Sequence, residues 1–253
     1  MRWSLIAGIA GLVVGTGVAM AETTEVTLPE RHWSFDGFFG TFDRADLKRG
    51  FEVYHGVCSA CHSLKLLHYR DLAGIGYTPD EIKAIAAEQK FTDGPNDQGE
   101  MYERSGRPSD PFKAPFPNEQ AARAANNGAL PPDLTLIVEA RKGGANHVFG
   151  VLTGYQEPPA DVQLKEGQFY NQNFPGHIIA MPPPLSDGAV TYTDGTQATV
   201  PQMAADISTF LAWAAEPNLE ARKRMGVKTV LFLIVFTGLL YAVKRKIWLG
   251  VKH

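Results

Sequence analysis

The chain has 253 residues, with 24 Lys and Arg against 27 Asp and Glu, a formal net charge of −3, 44% hydrophobic residues and two cysteines. This balance excludes a disordered chain, and the lack of a basic excess argues against a nucleic-acid binder. Two cysteines are too few for a multi-bridge disulfide framework, a four-thiolate iron–sulfur centre or an all-cysteine zinc site.

At the N-terminus, Arg2, the apolar stretch 5–18 and Ala19-Met20-Ala21 form the tripartite pattern of a secretory signal peptide, so the mature chain is expected to start at Glu22. Residues 43–60 open on Asp43 as a cap and carry Leu47, Phe51, Tyr54 and Cys58 at intervals of three or four, predicting a helix. Both cysteines fall at its end, in Cys58-Ser59-Ala60-Cys61-His62. On a helix, positions i, i+3 and i+4 share a face, so two thiols and an imidazole address one planar ligand from one side. The spacing reads as covalent attachment of one c-type haem, with Cys58 and Cys61 as thioether donors and His62 toward the iron. A thioredoxin-like redox pair would need a βαβ unit, and half a zinc site would need two further ligands.

Thr78-Pro79-Asp80-Glu81 supplies the cap, first-turn proline and early acids of a second helix, expected to run to about Lys90. Glu88, Asp93, Asp97, Glu100 and Glu103 form the densest acidic segment, expected on a Gly- and Pro-rich loop. Similar irregular passages recur at 126–132, 154–159 and 175–184. A domain so irregular needs an organising element other than disulfides, and a buried cofactor would serve. Met181, in Ile178-Ile179-Ala180-Met181-Pro182-Pro183-Pro184, stands on a stiff apolar loop able to hold a thioether against iron, or else fills the core. His177 and His147 are rival ligands, and Arg123 and Arg141 are equally placed to meet haem propionates. Residues 190–199 alternate around Asp194-Gly195 and predict a small β-hairpin. Residues 201–215 predict a third helix, stopped before Pro217.

Residues 225–243 are almost wholly apolar and long enough to cross a bilayer. Basic residues flank both ends, which leaves the positive-inside rule indecisive, so the export signal sets the orientation. The expected organisation is a signal peptide at 1–21, an exported haem domain at 22–221, a membrane anchor with basic flanks at 222–246 and a cytoplasmic tail at 247–253. All 27 acidic residues fall between positions 22 and 221 with 15 basic ones, so the exported domain carries −12 and the rest of the chain is basic.

Several segments beyond the haem pentapeptide resemble the cytochrome c1 family. They are Phe51-Glu52-Val53-Tyr54 leading into the pentapeptide, Ala121-Ala122-Arg123-Ala124-Ala125-Asn126-Asn127-Gly128-Ala129-Leu130-Pro131-Pro132-Asp133-Leu134, Leu152-Thr153-Gly154-Tyr155, the Met181 loop, and Trp213-Ala214-Ala215-Glu216-Pro217. The resemblance covers nearly the whole mature chain in order. It implies a mainly α fold: a class I cytochrome c core with long irregular insertions, a small β-hairpin and one C-terminal transmembrane helix. It implies His62 and Met181 as axial ligands, Asn126, Pro131 and Pro132 in the pocket wall, and Arg141 rather than Arg123 at the propionates. Some bacterial members brace the Met loop with an extra cysteine pair, which is absent here.

The function implied is that of the haem subunit of ubiquinol:cytochrome c oxidoreductase, an electron relay within an enzyme complex. Its expected partners are cytochrome b, a Rieske iron–sulfur subunit and a soluble, basic-faced cytochrome c steered by the acidic segment. The haem domain is expected in the periplasm, anchored in the bacterial inner membrane. The rival function is a stand-alone membrane-anchored cytochrome c serving a terminal oxidase. A haem peroxidase would need an open sixth position, and a thiol–disulfide oxidoreductase would need no haem.

Overall fold

Helix α1 (Arg44–Gly56) begins where Asp43 offers a carboxylate to the Ala45 and Asp46 amides at 2.8 and 3.3 Å, satisfying two donors that the first turn leaves unpaired. The computed structural model describes residues 26–251 of the chain, so the expected signal peptide lies outside the described residues. Leu47, Gly50, Phe51, Val53 and Tyr54 form the buried face of α1, which crosses α6 (Val200–Ala215). A Cβ on Gly50 would lie 2.2 Å from the Asp206 carbonyl oxygen and 2.5 Å from Phe210 Cβ, so glycine is what allows this close crossing.

Helix α6 is capped by Thr199 and enclosed from Met203 to Ala214, an apolar helix with little face left for water. Its one buried charge is fully partnered. Asp206 accepts from Arg49 Nε at 3.0 Å, from the Tyr192 hydroxyl at 2.8 Å and from Gln202 Nε2. Charge so deeply placed persists only with such hydrogen bonds.

Helix α2 (Pro79–Ala87) carries the expected capping box between Thr78 and Glu81. It stops short of Lys90 because Lys90 opens β1 (Lys90–Asp93), which pairs antiparallel with β2 (Tyr102–Ser105). Helices α3 (Glu119–Ala125), α4 (Ile137–Ala140) and α5 (Gly144–Thr153) follow, and then a short hairpin of β3 (Phe169–Tyr170) and β4 (Ile178–Ile179). Both α4 and α5 pack on α6. The fold is mainly α, with two short hairpins.

Two further local expectations fail. The first helix does not run to residue 60: Val57 leaves helical geometry at φ −126° and ψ −60°, and residues 58–60 form a separate 3-10 turn. The hairpin expected at 190–199 is not formed. A turn exists, with the Gly195 amide on the Tyr192 carbonyl at 3.2 Å, but its flanks bond to helices. Tyr192 reaches Asp206, Asp194 meets Arg49 at 2.8 Å, and Thr193 donates to Glu52. The alternation there reflects side chains directed at α1 and α6, not a strand pair.

Helix α7 (Leu219–Trp248) has 30 residues, about 45 Å at 1.5 Å per residue, and contains the expected span. Leu231, Phe232, Ile234 and Val235 are each more than half exposed, as suits a helix surrounded by lipid. The helix begins three residues after α6 ends. Its base is bound to the N-terminal segment: Glu220 accepts from the Phe42 amide at 2.9 Å and from Arg44 Nη2 at 2.8 Å, and Lys223 Nζ donates to the carbonyls of Phe35 and Gly40 at 2.7 and 3.2 Å.

Candidate functional site

The break after α1 turns the pentapeptide into a tight loop in which the amides of Cys61 and His62 both bond to the Cys58 carbonyl, at 3.1 and 2.9 Å. The Tyr54 hydroxyl, at the end of the buried face of α1, donates to the His62 carbonyl at 3.1 Å. Residues 62–66 are then joined to residues 132–135. Leu134 donates to the Ser63 carbonyl at 2.9 Å, and Asp133 accepts from the Ser63 hydroxyl at 2.7 Å and the Lys65 amide at 2.9 Å. Burial pushes the Asp133 carboxyl up, but these bonds and those from Thr135 outweigh it and hold it below its ordinary range.

His62 Nδ1 lies 2.8 Å from the Pro132 carbonyl oxygen. A carbonyl only accepts, so Nδ1 carries the proton and Nε2 keeps its lone pair. An outer hydrogen bond of this kind fixes the tautomer and ring orientation of a metal-binding histidine. Burial lowers the pKa of His62 despite the Pro132 bond and nearby Asp133, which favours the neutral imidazole.

Cys58, Cys61 and His62 form one wall of a cavity of about 550 Å³, within the range of cofactor pockets. Asn126, Pro131, Pro132 and Arg141 line it as well, together with Ile207 and Leu211 from α6 and Val148 and Val151 from α5. Asn126 is set by the C-terminal turn of α3, where its side-chain amide donates to the Ala122 carbonyl at 2.7 Å. Arg123 is not part of the lining; its guanidinium donates to the Gly128 carbonyl at 3.1 Å.

Met181 lines the same cavity. The other methionines among the described residues do not: Met203 is fully buried in α6, and Met101 and Met225 are each 61% exposed. The β3–β4 hairpin leads the chain to Met181, and the Tyr155 hydroxyl donates to the Met181 carbonyl at 3.0 Å. Burial raises the Tyr155 pKa, so it remains a neutral donor. Of the rival ligands, His177 is outside the lining, stacked on Tyr170 with Nδ1 at 3.1 Å from the Gln172 carbonyl, whereas His147 on α5 is inside it.

The donor set fits a haem held covalently. One face offers two thiols and an imidazole of fixed tautomer, the remaining lining includes a thioether, and the walls are mostly aliphatic and proline. No three His, Cys, Asp or Glu side chains converge as a metal cage among the described residues, so a bare ion has no nest. A thiol–disulfide function fits poorly, because burial pushes the Cys58 thiol up to about 12 where a redox-active cysteine is held low.

Of the acidic segment only Asp97 and Glu100 lie on the expected Gly- and Pro-rich loop, between β1 and β2; Glu88 caps α2, Asp93 and Glu103 lie on the two strands, and none of the five lines the cavity. Glu88 meets His55 Nε2 at 3.2 Å, and Asp93 is paired with Arg104, which also binds Asp110 at 2.6 and 2.8 Å. Asp97, Glu100 and Glu103 are exposed, with Met101 and Tyr102 exposed between the last two. Sequence reasoning gave no role to Tyr155 or to the Pro132 carbonyl. The first was visible only within a matching segment, and a carbonyl leaves no signal in composition.

A model of the Cytochrome C1 family matches residues 33–251. The chain is 46% identical over 269 residues to cytochrome c1 of Rhodospirillum rubrum, covering 100% of this chain and 98% of that one. It is 52% identical over 229 residues to the mitochondrial "Cytochrome c1 1, heme protein" of Arabidopsis thaliana, covering 90% and 75%. It is also 50% identical over 242 residues to the "Cytochrome b/c1" of Bradyrhizobium diazoefficiens, covering 87% of this chain and 35% of that longer protein.

Proposed function

Because this chain belongs to the cytochrome c1 family, we propose that its cavity is the haem c site, with Cys58 and Cys61 as the attachment points, His62 and Met181 as axial ligands and Arg141 beside the propionates. The chain is the electron-transfer subunit of ubiquinol:cytochrome c oxidoreductase, a relay and not itself the catalyst. It carries haem c, its haem domain is periplasmic, and one C-terminal helix anchors it in the inner membrane.

Haem supplies a one-electron iron couple, and methionine with histidine ligation sets it at a high potential. What the chain does is hold and insulate. The Pro132 carbonyl keeps the His62 Nδ1 proton in place and leaves Nε2 as donor. Tyr155 holds the Met181 backbone, so the thioether is presented by a loop fixed at both its hairpin and its carbonyl. Val148, Val151, Ile207 and Leu211 exclude water from the cavity. Asn126 and Pro131 complete the wall on the side of α3.

The observation that carries this reading is that His62, fixed from behind by Pro132, lines the same cavity as the pentapeptide thiols and Met181. The test is the purified full-length protein. Haem that survives acid–acetone extraction in the unaltered protein, and is lost from Cys58→Ala/Cys61→Ala, is the expected result; extractable haem in the unaltered protein would refute attachment.

For partners, the name of the "Cytochrome b/c1" relative supports cytochrome b as a neighbour in the membrane. A mobile Rieske iron–sulfur subunit is the electron donor and a soluble cytochrome c the acceptor. The acceptor's docking surface is the β1–β2 hairpin, where Met101 and Tyr102 give an apolar centre and Asp97, Glu100 and Glu103 an acidic rim.

A further inference from the structure

We propose that the loop carrying Phe38 and Phe39 inserts into the outer interface of the lipid bilayer, giving the haem domain a second, aromatic contact with the membrane beside α7. It rests on the reading that α7 crosses the bilayer.

Phe38 and Phe39 are 57% and 81% exposed and meet edge to face at 5.1 Å, so neither ring serves the core. The loop is closed at its base, with the Thr41 amide on the Ser34 carbonyl at 3.0 Å. Its path along α7 is fixed by hydrogen bonds. The Phe42 amide sits on Glu220, whereas the carbonyls of Gly40 and Phe35 sit on Lys223, one turn nearer the span. Both limbs of the loop therefore meet α7 at Lys223, and the tip between them lies beside this end of the helix. Lys223 is two residues before Met225, where the apolar run begins. The loop is thus held at the level of the basic residues 222–224 of α7, where lipid headgroups would surround the helix, with Lys223 as its direct contact.

A second observation is independent of that path. Membrane helices are held at both interfaces by aromatic side chains. Toward its far end α7 has Tyr241 and Trp248, with Lys244 Nζ 5.4 Å from the Trp248 ring centre. Residues 219–230 contain no aromatic residue at all. Phe38 and Phe39 supply the missing aromatic contact from another segment, and exposed paired rings are suited to the boundary between headgroups and acyl chains.

The test places a nitroxide label at Phe38→Cys or Phe39→Cys in the full-length haem-loaded protein, in vesicles of phosphatidylcholine and phosphatidylglycerol. Oxygen and a water-soluble nickel chelate are the collision partners. Labels at Asp97→Cys and Val235→Cys serve as water and bilayer references, and the parent without an added cysteine, treated with the same reagent, confirms that Cys58 and Cys61 take no label. The expected result is a severalfold higher oxygen-to-nickel collision ratio at Phe38 and Phe39 than at Asp97. Ratios equal to that at Asp97 would overturn the proposal. So would labels that are wet in these vesicles and shielded only in the assembled complex, which would make the rings a protein contact. A wet label at Val235 would refute the spanning of α7 itself, and the proposal with it.

Discussion

The ring of His62 donates from Nδ1 to the main-chain carbonyl of Pro132 at 2.8 Å, across 70 residues of sequence. The histidine that closes the haem-binding pentapeptide is therefore aimed by a segment from a distant part of the chain. Its counterpart Met181 is held in a similar way, through its own carbonyl, by Tyr155. The His62 ring and the Met181 backbone are both held by hydrogen bonds to distant segments rather than by helix geometry.

Replacing Met181 by Leu removes the thioether and leaves the aliphatic wall intact. Axial ligation sets haem potentials over about 0.8 V, so a fall on the order of 0.1–0.3 V is expected, with carbon monoxide binding gained by the reduced protein. Redox titration and the visible spectrum measure both. An unchanged potential would transfer the role to another donor, His147 being the one already in the lining.

Gly50→Ala inserts a methyl group where the α6 backbone lies 2.2 Å away. Neither main chain can yield cheaply, so a loss of about 3 kcal/mol or more is expected, the upper part of the range for overpacking. Denaturant unfolding of the full-length protein in detergent measures it. Gly99→Ala, at a turn with open space around it, separates crowding from helix crossing, since its cost comes from its positive φ alone.

Acid should loosen the β1–β2 hairpin before the core. Hydrogen bonds from Arg104 hold the Asp110 carboxyl down at about 2, from an ordinary value of 3.8, and Asp93 is lowered by the same guanidinium. A carboxyl whose folded pKa is depressed contributes stability above its unfolded pKa and loses it as pH falls toward the folded one. The hairpin's attachment is therefore complete at neutral pH and weakens between about pH 4 and pH 2. Amide exchange of residues 90–105 should accelerate in that window while α6 stays protected.

Neutralising Asp97, Glu100 and Glu103 together should slow association with soluble cytochrome c about tenfold at low salt and flatten its salt dependence. Stopped-flow reduction across ionic strength reads both quantities. Asp93 is a poorer choice, because Arg104 already neutralises it. Identical rates in the triple variant would move the docking surface elsewhere.

What could be read from sequence was what a few adjacent residues determine. Asp43 and Thr78 cap their helices through bonds to amides two or three residues on, and such short-range chemistry is written locally. Cys58, Cys61, His62 and Met181 stood out because thiol, imidazole and proline-flanked thioether are rare and chemically specific. That they line one cavity was not deducible from spacing, since the pentapeptide does not lie on one regular helix. Period-two alternation at 190–199 does not mark a strand pair, because side chains packed against two helices repeat much as a strand does. Strands β1 (Lys90–Asp93) and β2 (Tyr102–Ser105) are short, polar and separated by eight residues, so they carry almost no pattern. Tyr155 with Met181 and His62 with Pro132 are long-range pairs, fixed only once the chain has folded.

Three residues separate α6 from α7, and the base of α7 is bound by Glu220 and Lys223 to the segment preceding α1. These bonds oppose swivelling of the haem domain about the α6–α7 junction, so domain and anchor are tied to move together. A domain tied to its anchor in this way shortens the orientational search of any carrier arriving from solution, and it leaves the travel to the carriers.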